Sequence, residues 1–383
     1  MRTGLCRVAL VVPSHWSRSG GGAEYQVEFI ARELLKLEGI EVHWLSRRVE
    51  EGWKSTDYHL HQIGANRGFL TKAFFFDAIA LLIKLHTVKP HALYQRVGSA
   101  YTGICAIYSI ITGCPFIWHV ASDWDVENTP RIRWFKPSTW LRAIDAMFFR
   151  VGRRRADVII AQTALQQRAL QKVLGKSDVL VIRNGMEICK DEPIPVARKR
   201  VMWIGNLKPV KNVERFLELS RAFTDRLDLT FDIVGAPYQE EGQRRAFMDS
   251  LSRYPNVRYH GYLSFHNVGA LLREAAVLVN TSSTEGFPNT FIQAWMRRVP
   301  VLSLHVDPDG FLAHGGCGHC CNGDFMELQR SLRALLSDAE WACSLGSHGR
   351  AVAERDFSSQ NTELVSAQIS AAARLFLARD SSS

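Results

Sequence analysis

The amino-acid sequence predicts an α/β protein made of two doubly wound, Rossmann-like domains. The chain has 383 residues, about twice the length of a typical single domain. Short β-branched segments alternate with helical segments along its length, which indicates parallel sheets covered by helices on both faces. Residues 191–200, with two prolines and several charges, interrupt this alternation and are typical of a linker. Two such domains are expected to face each other across a ligand cleft.

The first domain is predicted over residues 1–190, because strand and helix patterns alternate up to the linker. Short apolar runs predict its strands, which are Arg7–Val12, Val42–Leu45, Ala92–Tyr94, Pro115–Val120, Ala156–Ala161 and Val179–Ile182. Apolar residues spaced three and four apart predict its helices, which are Glu24–Leu37, Lys72–His86, Ala100–Thr112, a segment from Ser138 and Ala164–Leu174.

The same alternation restarts after the linker and predicts a second domain over residues 201–360. Its predicted strands are Val201–Ile204, Leu229–Val234, Val257–Tyr259, Val277–Asn280 and Val299–Leu304. Its predicted helices are Val213–Phe223, Glu241–Arg253, Val268–Arg273, Phe291–Met296, Asp324–Leu336 and Asp338–Asp356. Residues 361–383 are predicted to form a last helix, Asn361–Ala378, with a serine-rich end.

Composition excludes several classes of protein. With 46% hydrophobic and 22% charged residues, the chain is neither disordered nor collagen-like. Its longest apolar stretch, Phe74 to Leu85, is interrupted by Asp77 and Lys84 and is too short to span a membrane. The run Val8 to Val12 ends at Pro13 and predicts a buried strand rather than a signal peptide. We therefore expect a cytoplasmic protein.

The positive charge lies mainly in the first part of the chain. Residues 1–155 hold 21 Lys and Arg against 13 Asp and Glu, a net charge of +8, while residues 156–383 hold 26 against 25. Residues 131–155 carry eight basic side chains and one acidic side chain, and the predicted helix from Ser138 is amphipathic. This segment suits peripheral contact with an anionic membrane, although a packed helix with a solvated basic face explains it equally well. No nucleic-acid recognition motif is present, and no nucleic-acid partner is expected.

Eight cysteines in so long a chain do not form a disulfide framework. Cys317, His319, Cys320 and Cys321 are the one cluster of metal-ligating residue types. Zinc sites usually draw ligands from two separated turns, so we expect no metal here but reduced thiols in a loop before a helix.

Three loops have the composition of anion- or sugar-binding loops. A glycine run at residues 20–22 separates the first strand from the first helix, where backbone N–H groups can bind phosphate or a hydroxyl. Residues 203–212 hold Lys208 and Lys211 between a strand and a helix, and residues 282–290, about eighty residues further on, again lead from the end of a strand to the start of a helix. In the last loop Glu285 can accept hydrogen bonds from sugar hydroxyls.

Together these loops resemble the family-four retaining glycosyltransferases of the GT-B fold, and the resemblance runs along nearly the whole chain. The Gly-Gly-x-Glu loop of the family is similar to Gly21-Gly22-Ala23-Glu24, and its Glu-x7-Glu signature to Glu285 with Gln293. Other motifs of the family match Arg183-Asn-Gly-Met-Glu187, Gly205, Lys211, Gly235, Gly261 and residues 294–301. The GT-B fold also implies that the C-terminal helix crosses back to the N-terminal domain.

The sequence departs from the family pattern at two positions. Asn206 stands in place of the arginine that stabilises the donor diphosphate in the family, so that Lys208 is expected to substitute as a point charge. Gln293 stands in place of the glutamate that holds the nucleotide ribose, and its neutral amide makes weaker hydrogen bonds.

The resemblance implies transfer of a hexose from a nucleoside-diphosphate sugar, with retention, to a glycan or lipid-linked acceptor in polysaccharide or glycoconjugate biosynthesis. The second domain would bind the donor through Gly205, Asn206, Lys208, Lys211, Gly235, Glu285, Gly286, Phe287, Pro288, Asn289, Thr290 and Gln293. Gly21, Gly22 and Glu24 would form an acceptor or phosphate loop in the first domain. Lys211 would neutralise the leaving diphosphate and Glu285 would orient the sugar. No cofactor and no metal ion are expected.

A catalytic histidine usually follows a strand of the N-terminal domain in this family. His119 is the available histidine but lies about two residues early relative to that placement, and a histidine within a strand is often a core residue. Asp123 competes for the same role. Two further functions stay open, a nucleotide-sugar epimerase of the same fold and a weakly catalytic sugar-binding subunit of a polymer-assembling complex.

Overall fold

The computed structural model describes residues 5–64, 73–126, 137–190 and 198–380. The chain divides into two compact units. The first unit comprises Met1–Met186 together with Ser359–Ser383, and the second comprises Glu187–Ser358. Each unit has its own parallel sheet and its own hydrophobic core.

The first unit alternates strands and helices. Its strands are β1 (Cys6–Val11), β2 (Ile40–Ser46), β3 (His59–Gln62), β4 (Ala92–Arg96), β5 (Phe116–His119), β6 (Val158–Ala161) and β7 (Val179–Val181). Its helices are α1 (Trp16–Ser19), α2 (Gly22–Leu35), α3 (Ala78–Val88), α4 (Ala100–Thr112), α5 (Pro137–Arg155) and α6 (Ala164–Leu174).

The strands of the first unit form a parallel sheet in the order β3-β2-β1-β4-β5-β6-β7. Successive residues of β1 enter different cores because a strand points alternate side chains to opposite faces. Ala9 and Val11 pack in the core that includes residues of α3, α4 and α6, while Val8 and Leu10 pack in the core that includes α2. The sheet is therefore doubly wound, with helices on both faces.

The second unit repeats this architecture. Its strands are β8 (Arg200–Ile204), β9 (Thr230–Val234), β10 (Val257–Tyr259), β11 (Ala275–Asn280), β12 (Val301–Ser303) and β13 (Gly318–Cys320). Its helices are α7 (Val213–Arg221), α8 (Glu241–Leu251), α9 (Phe265–Arg273), α10 (Asn289–Trp295), α11 (Phe325–Ser337) and α12 (Ala339–Asp356). The parallel sheet has the order β10-β9-β8-β11-β12-β13.

The last helix, α13 (Gln360–Asp380), packs on the first unit. Ile369 and Ala373 are fully buried in the same core as Val8 of β1. The buried Ser366 Oγ donates to Ile30 O at 3.3 Å, and Arg374 donates to Glu38 O at 3.0 Å. The C-terminal helix thus crosses back to the N-terminal domain, as the fold class implies.

Two strands and one short helix are absent from the predicted elements. β3 and the four-residue helix α1 fall in segments with no apolar run of strand or helix type. The expected loop at Cys317–Cys321 is wrong, since Gly318–Cys320 form β13, paired in parallel with β12. The cysteines there are free thiols, and burial raises the pKa of Cys317 and Cys321 to about 12.

The basic segment is only partly described, because Arg131, Arg133, Trp134, Phe135 and Lys136 lie outside the described residues. One basic residue of α5 is not available to a membrane. Arg153 is 1% exposed, donates to Asp125 O at 3.0 Å and places its guanidinium over the Phe149 ring. Burial lowers the pKa of Arg153. Arg142, Arg154 and Arg155 are exposed. None of the described helices is long and apolar enough to span a membrane.

Candidate active site

The sheet order of the second unit predicts where a ligand binds. β8 and β11 are neighbours in the sheet, but the chain leaves β8 toward β9 on one side and reaches β11 on the other. Loops that diverge in this way leave a crevice at the carboxyl ends of the two strands. The loop with Lys211 follows β8 and the loop with Glu285 follows β11, so both lie at this switch point.

Lys211 and Glu285 form an ion pair there. Lys211 Nζ lies 2.6 Å from Glu285 Oε2, with side-chain exposures of 24% and 13%. The other carboxylate oxygen, Oε1, accepts hydrogen bonds from Asn280 Nδ2 at 2.9 Å and from Ser282 Oγ at 2.6 Å. The two residues predicted to neutralise the diphosphate and orient the sugar are therefore in direct contact.

The ion pair keeps Glu285 ionised. Burial raises the pKa of the Glu285 carboxyl, but the charge and hydrogen bond of Lys211, together with Ser282 and Asn280, outweigh burial. The net effect is a pKa below the ordinary value for glutamate. The site thus holds a fixed carboxylate, an acceptor suited to hydroxyl groups, beside an ammonium with further N–H donors.

Thr281 joins the two loops. Its hydroxyl oxygen lies 2.9 Å from Lys211 O and 2.9 Å from Asn212 O, and it accepts from Trp203 Nε1 at 2.9 Å. The Ser283 N–H also donates to Val210 O at 2.9 Å. Lys211 is consequently placed against Glu285 by backbone contacts, and its position does not depend on the ion pair alone.

Gly205 and Gly235 allow the ends of β8 and β9 to approach closely. Gly235 has φ +155°, and a Cβ there would overlap the carbonyl oxygen of Gly205. Beside this contact Asn206 Oδ1 accepts from the Ala236 N–H at 3.2 Å. At the position where the family has arginine, this chain therefore has a side chain that bonds to the loop after β9.

The remaining predicted donor residues differ in exposure. Gln293 is 9% exposed, and its Oε1 has no hydrogen-bond partner in the part of the chain that is described. Phe287 is buried against the rings of Phe311 and Phe357, so that it anchors the loop. Of the other predicted donor-binding residues, Gly286 and Pro288 are buried, Asn289 and Thr290 are partly exposed, and Lys208 is exposed.

In the first unit the glycine loop begins α2. Gly21 is the N-cap, Gly22 is the first helical residue, and Glu24 lies in the first turn. The Glu24 carboxylate folds back so closely that a side chain at Gly21 would overlap it. A carboxylate at this end of a helix is stabilised by the helix dipole. Glu24 therefore has a local structural role at the loop.

His119 is the last residue of β5 and is 1% exposed. Its Nδ1 lies 2.8 Å from the Tyr94 hydroxyl, while its Nε2 has no partner among the described residues. Burial, followed by the charge of Arg96, holds the pKa of His119 well below its ordinary value. The ring is neutral and enclosed in this conformation. Its catalytic role stays a prediction.

Asp123 is partly exposed and begins the short 3-10 helix Asp123–Asp125 that follows β5. Its Oδ1 accepts from Gln166 Nε2 at 2.8 Å. The neighbouring Asp125 is buried and accepts from the backbone N–H groups of Ala121, Ser122 and Gly98. Of the two aspartates, Asp123 has the exposure that a role toward substrate requires.

Three polar residues at these edges were missed by the sequence analysis. Asn280 ends β11 and Thr281 follows it; they bond to Glu285 and to the Lys211 backbone, and no sequence signal singles them out. In the first unit Arg96 ends β4, is 1% exposed, and donates to Asn184 Oδ1 at 2.7 Å. A charged residue as the last member of an apolar strand is the pattern that could have found Arg96.

No group of three or more histidine, cysteine, aspartate or glutamate side chains within residues 5–64, 73–126, 137–190 and 198–380 is arranged to hold a metal ion. In the same residues, the cations at the candidate donor site are Lys208 and Lys211.

Comparison with known proteins agrees with this architecture. The family model described as Glycosyltransferase Family 4 matches residues 20–188, and the model described as Glycosyl transferases group 1 matches residues 198–338. The sequence is 20% identical over 352 residues to the capsular polysaccharide biosynthesis glycosyltransferase CapM of Staphylococcus aureus, covering 86% of this chain and 89% of CapM.

Solved structures show the same fold. Sucrose-phosphate synthase from Thermosynechococcus elongatus superposes with a TM-score of 0.77 at 16% identity, over 97% of this chain and 100% of that chain. Anabaena HepE in complex with UDP and glucose superposes with a TM-score of 0.73 at 18% identity, over 94% and 98%. The protein is thus a glycosyltransferase of the GT-B fold. By its sequence it belongs to glycosyltransferase family four.

The Lys211–Glu285 contact predicts a specific stability pattern. Lys211→Ala should lower the free energy of unfolding of the second unit by roughly 2 kcal/mol, less than for a fully buried pair because both side chains keep some exposure. The double variant Lys211→Ala/Glu285→Gln should recover most of this loss, because it removes both charges. An equal loss of unfolding free energy in the single and double variants would exclude the pair as a stabilising contact.

The stability of the single variant Lys211→Ala should also depend on pH. Without Lys211, burial raises the pKa of Glu285, so the folded state retains a proton that the unfolded state releases. The loss of unfolding free energy relative to wild type should therefore be smaller near pH 5 than near pH 7. Urea unfolding of both proteins at the two pH values measures this difference.

Gly235 and Gly242 offer a matched pair of glycine substitutions. Gly235→Ala should destabilise the second unit by more than about 1 kcal/mol, because the new Cβ overlaps Gly205 O. Gly242 lies in α8 with open space around it, so that Gly242→Ala should be neutral or stabilising by up to about 1 kcal/mol. Thermal denaturation of the two variants measures the difference. Equal melting temperatures would contradict the close approach of the two loops.

Proposed function

We propose that this glycosyltransferase moves a hexose from a nucleoside-diphosphate sugar to a glycan or lipid-linked acceptor, with retention of the anomeric configuration, in polysaccharide or glycoconjugate biosynthesis. The contact between Lys211 and Glu285 at the switch point of the second unit carries the proposal. The name of CapM, a relative in capsular polysaccharide biosynthesis, and the binding of UDP and glucose by HepE support it.

The chemistry follows from the charges at this site. The bond between the anomeric carbon and the diphosphate oxygen breaks, and the acceptor oxygen bonds to that carbon on the same face. The acceptor proton passes to the leaving diphosphate, so no protein nucleophile is required. Lys211 stabilises the negative charge that develops on the diphosphate, with Lys208 as a second cation. Glu285 holds the sugar hydroxyls. We propose that these side chains act without a metal ion or cofactor.

The experiment that tests the proposal follows the fate of labelled nucleotide sugars with the purified protein. The expected products are a nucleoside diphosphate and a transferred or hydrolysed sugar. An isomerised but intact donor would instead identify an epimerase. Binding without turnover would identify a sugar-binding subunit, and either result would overturn the proposal. A thermal-shift screen with nucleoside diphosphates and nucleotide sugars first selects the donor.

Lys211→Ala should lower turnover at saturating donor by about 100-fold, because removal of one preorganised donor to a developing anion costs about 3 kcal/mol. Lys208→Ala should lower turnover less, because Lys208 is exposed and acts as the second cation. Arg226→Ala, a charge change outside the donor loops, is the control. Near-normal turnover of Lys211→Ala would show that another group bears the diphosphate charge.

Gln293 offers a test of nucleotide position. Gln293→Glu should tighten binding of the nucleoside diphosphate selected above by several-fold, because an ionised acceptor makes a hydrogen bond about twice as strong as a neutral one. Without nucleotide the same substitution should lower the melting temperature, since Oε1 of residue 293 is buried and has no partner within the described residues. Calorimetric titration measures the affinity. Unchanged or weaker binding would mean that residue 293 does not face the ribose.

We also propose that the first unit docks on an anionic membrane on the cytoplasmic side, where a lipid-linked acceptor lies. Arg142, Arg154 and Arg155 are exposed on α5. Large apolar side chains on α3, α4 and α5 are each more than half exposed, namely Ile79, Ile83, Ile110, Ile111, Trp140, Met147 and Val151. An exposed apolar surface beside basic residues suits the interface of an anionic bilayer.

Changing Arg142, Arg154 and Arg155 to Ser should weaken binding to anionic vesicles by about 3 kcal/mol, at about 1 kcal/mol for each charge. Added salt should weaken wild-type binding. Arg244, Arg245 and Arg258 are exposed in the second unit, and their triple change to Ser removes the same charge and serves as control. Vesicle sedimentation measures both. Equal losses in the two variants, or no binding by wild type at low salt, would contradict membrane docking by α5.

A further inference from the structure

Aromatic rings gather at the carboxyl edge of the sheet in the first unit, on the β2 side of its switch point. β1 and β4 are neighbours, while the chain passes from β1 to β2 on the other side, so the switch point lies at the carboxyl end of β1. Trp16 follows β1, Trp53 follows β2, and Tyr25 lies in the first two turns of α2. All three side chains are partly exposed. No motif described above includes these aromatic residues.

The three rings form a defined surface. Trp16 and Trp53 meet edge to face, with centroids 5.6 Å apart and planes at 82°. Trp16 and Tyr25 are 6.1 Å apart with planes at 35°. Trp16 and Trp53 also pack against the buried core that contains Val12 and Trp44. One side of the group is therefore supported by the core, while part of each ring stays accessible.

Tyr58 holds Trp16 in place. The indole Nε1 of Trp16 donates to the Tyr58 hydroxyl oxygen at 3.2 Å, and His15 Nε2 lies 2.8 Å from the same oxygen. The Tyr58 hydroxyl in turn donates to Glu28 Oε2 at 3.3 Å. His15 Nδ1 accepts from the Ser17 N–H at 3.2 Å, which leaves Nε2 as the donor. The orientation of Trp16 is consequently set before any ligand arrives, which lowers the entropic cost of binding.

We propose that Trp16, Trp53 and Tyr25 form a stacking platform for a sugar ring of the acceptor. The C–H groups on one face of a pyranose are apolar and pack on the electron-rich face of an aromatic ring, while the hydroxyls at the rim stay hydrated or bonded. The inference rests on the proposed function, because it assumes that the acceptor is a sugar. It adds the residues of the first unit that recognise that sugar.

The chemistry of the surroundings favours a sugar over an acyl chain. The exposed isoleucines lie on α3 and α4, whereas the surface after β1 is aromatic and has polar neighbours. Ser17, Arg18 and Glu24 lie within the same two segments as Trp16 and Tyr25 and offer hydroxyl, guanidinium and carboxylate groups. Aromatic faces with polar groups at the rim match a ring that has an apolar face and a polar rim.

Fluorine NMR of the full chain labelled with 5-fluorotryptophan tests the platform. Trp16→Phe, Trp53→Phe and Trp140→Phe assign three of the ten tryptophan signals, and Trp140, which is 60% exposed on α5, gives the control signal. The probes are methyl glycosides and disaccharides of glucose, galactose, mannose and N-acetylglucosamine at millimolar concentrations. Saturable shifts of the Trp16 and Trp53 signals with a steady Trp140 signal support the inference. Absence of shifts with every probe, or equal shifts at Trp140, overturns it.

Tyr58→Phe separates a positioning role from a structural one. This variant keeps the ring but removes the hydroxyl that holds Trp16, and it should raise KM for the sugar acceptor about tenfold. Release of nucleoside diphosphate by hydrolysis of the donor alone, which does not use the platform, should keep its kcat and donor KM. Equal losses in both assays would mean that Tyr58 only stabilises the fold and would overturn its positioning role. If the wild type hydrolyses the donor normally but its tryptophan NMR signals do not shift with sugars, the platform is overturned and the proposed sugar transfer still stands. If the wild type neither hydrolyses the donor nor transfers its sugar, the proposed function itself is overturned.

Discussion

The common direction of the strands is the constraint on which the functional parts of this protein depend. Because every strand in both described sheets runs parallel to its neighbours, all strands of a sheet end at one edge. Residues far apart in sequence therefore meet where the crossovers diverge. Lys211 and Glu285 meet in this way after β8 and β11, while Trp16 and Trp53 meet at the carboxyl ends of the consecutive strands β1 and β2. An antiparallel sheet of the same strands would place such pairs at opposite edges.

Two buried arginines at the carboxyl edge of the sheet in the first unit differ in their partners. Arg47, which follows β2, bonds to Asp77 at 2.6 Å, and the Tyr101 hydroxyl donates to the same carboxylate, so the group is satisfied within the fold. Arg96, at the end of β4, differs because its buried Nε and Nη1 have no partner in the described residues, and the adjoining Val97 has φ +73°. Unsatisfied groups and positive φ at a β-branched residue cost free energy. That cost falls at the end of β4, whereas Arg47 at the end of β2 is paired with Asp77.

Periodicity and motif spacing predict most of this architecture from sequence. The helices α4 and α6 have the predicted bounds because the sequence marks both of their ends. Ser99 and Thr163 cap their N-termini, and Gly113 and Gly175 follow their C-termini. The strands β3 and β13 escape prediction because they are short, lie at sheet edges and contain histidine in place of β-branched runs, so that pairing with a neighbour determines them. Glycine and lysine motifs predict the donor loops. The contacts of Thr281 and Asn280 were not predictable, since they depend on which loop lies opposite.

The return of α13 to the first unit makes the second unit an insertion in the first, entered after residue 186 and left after residue 358. The second unit is continuous in sequence and contains all the partners of its own sheet. The first unit is not, because Ile369 and Ala373 fill the core beside β1. During synthesis the later domain can thus complete its core while the earlier one still lacks a helix. The first unit can therefore complete its core only after the whole second unit has been synthesised.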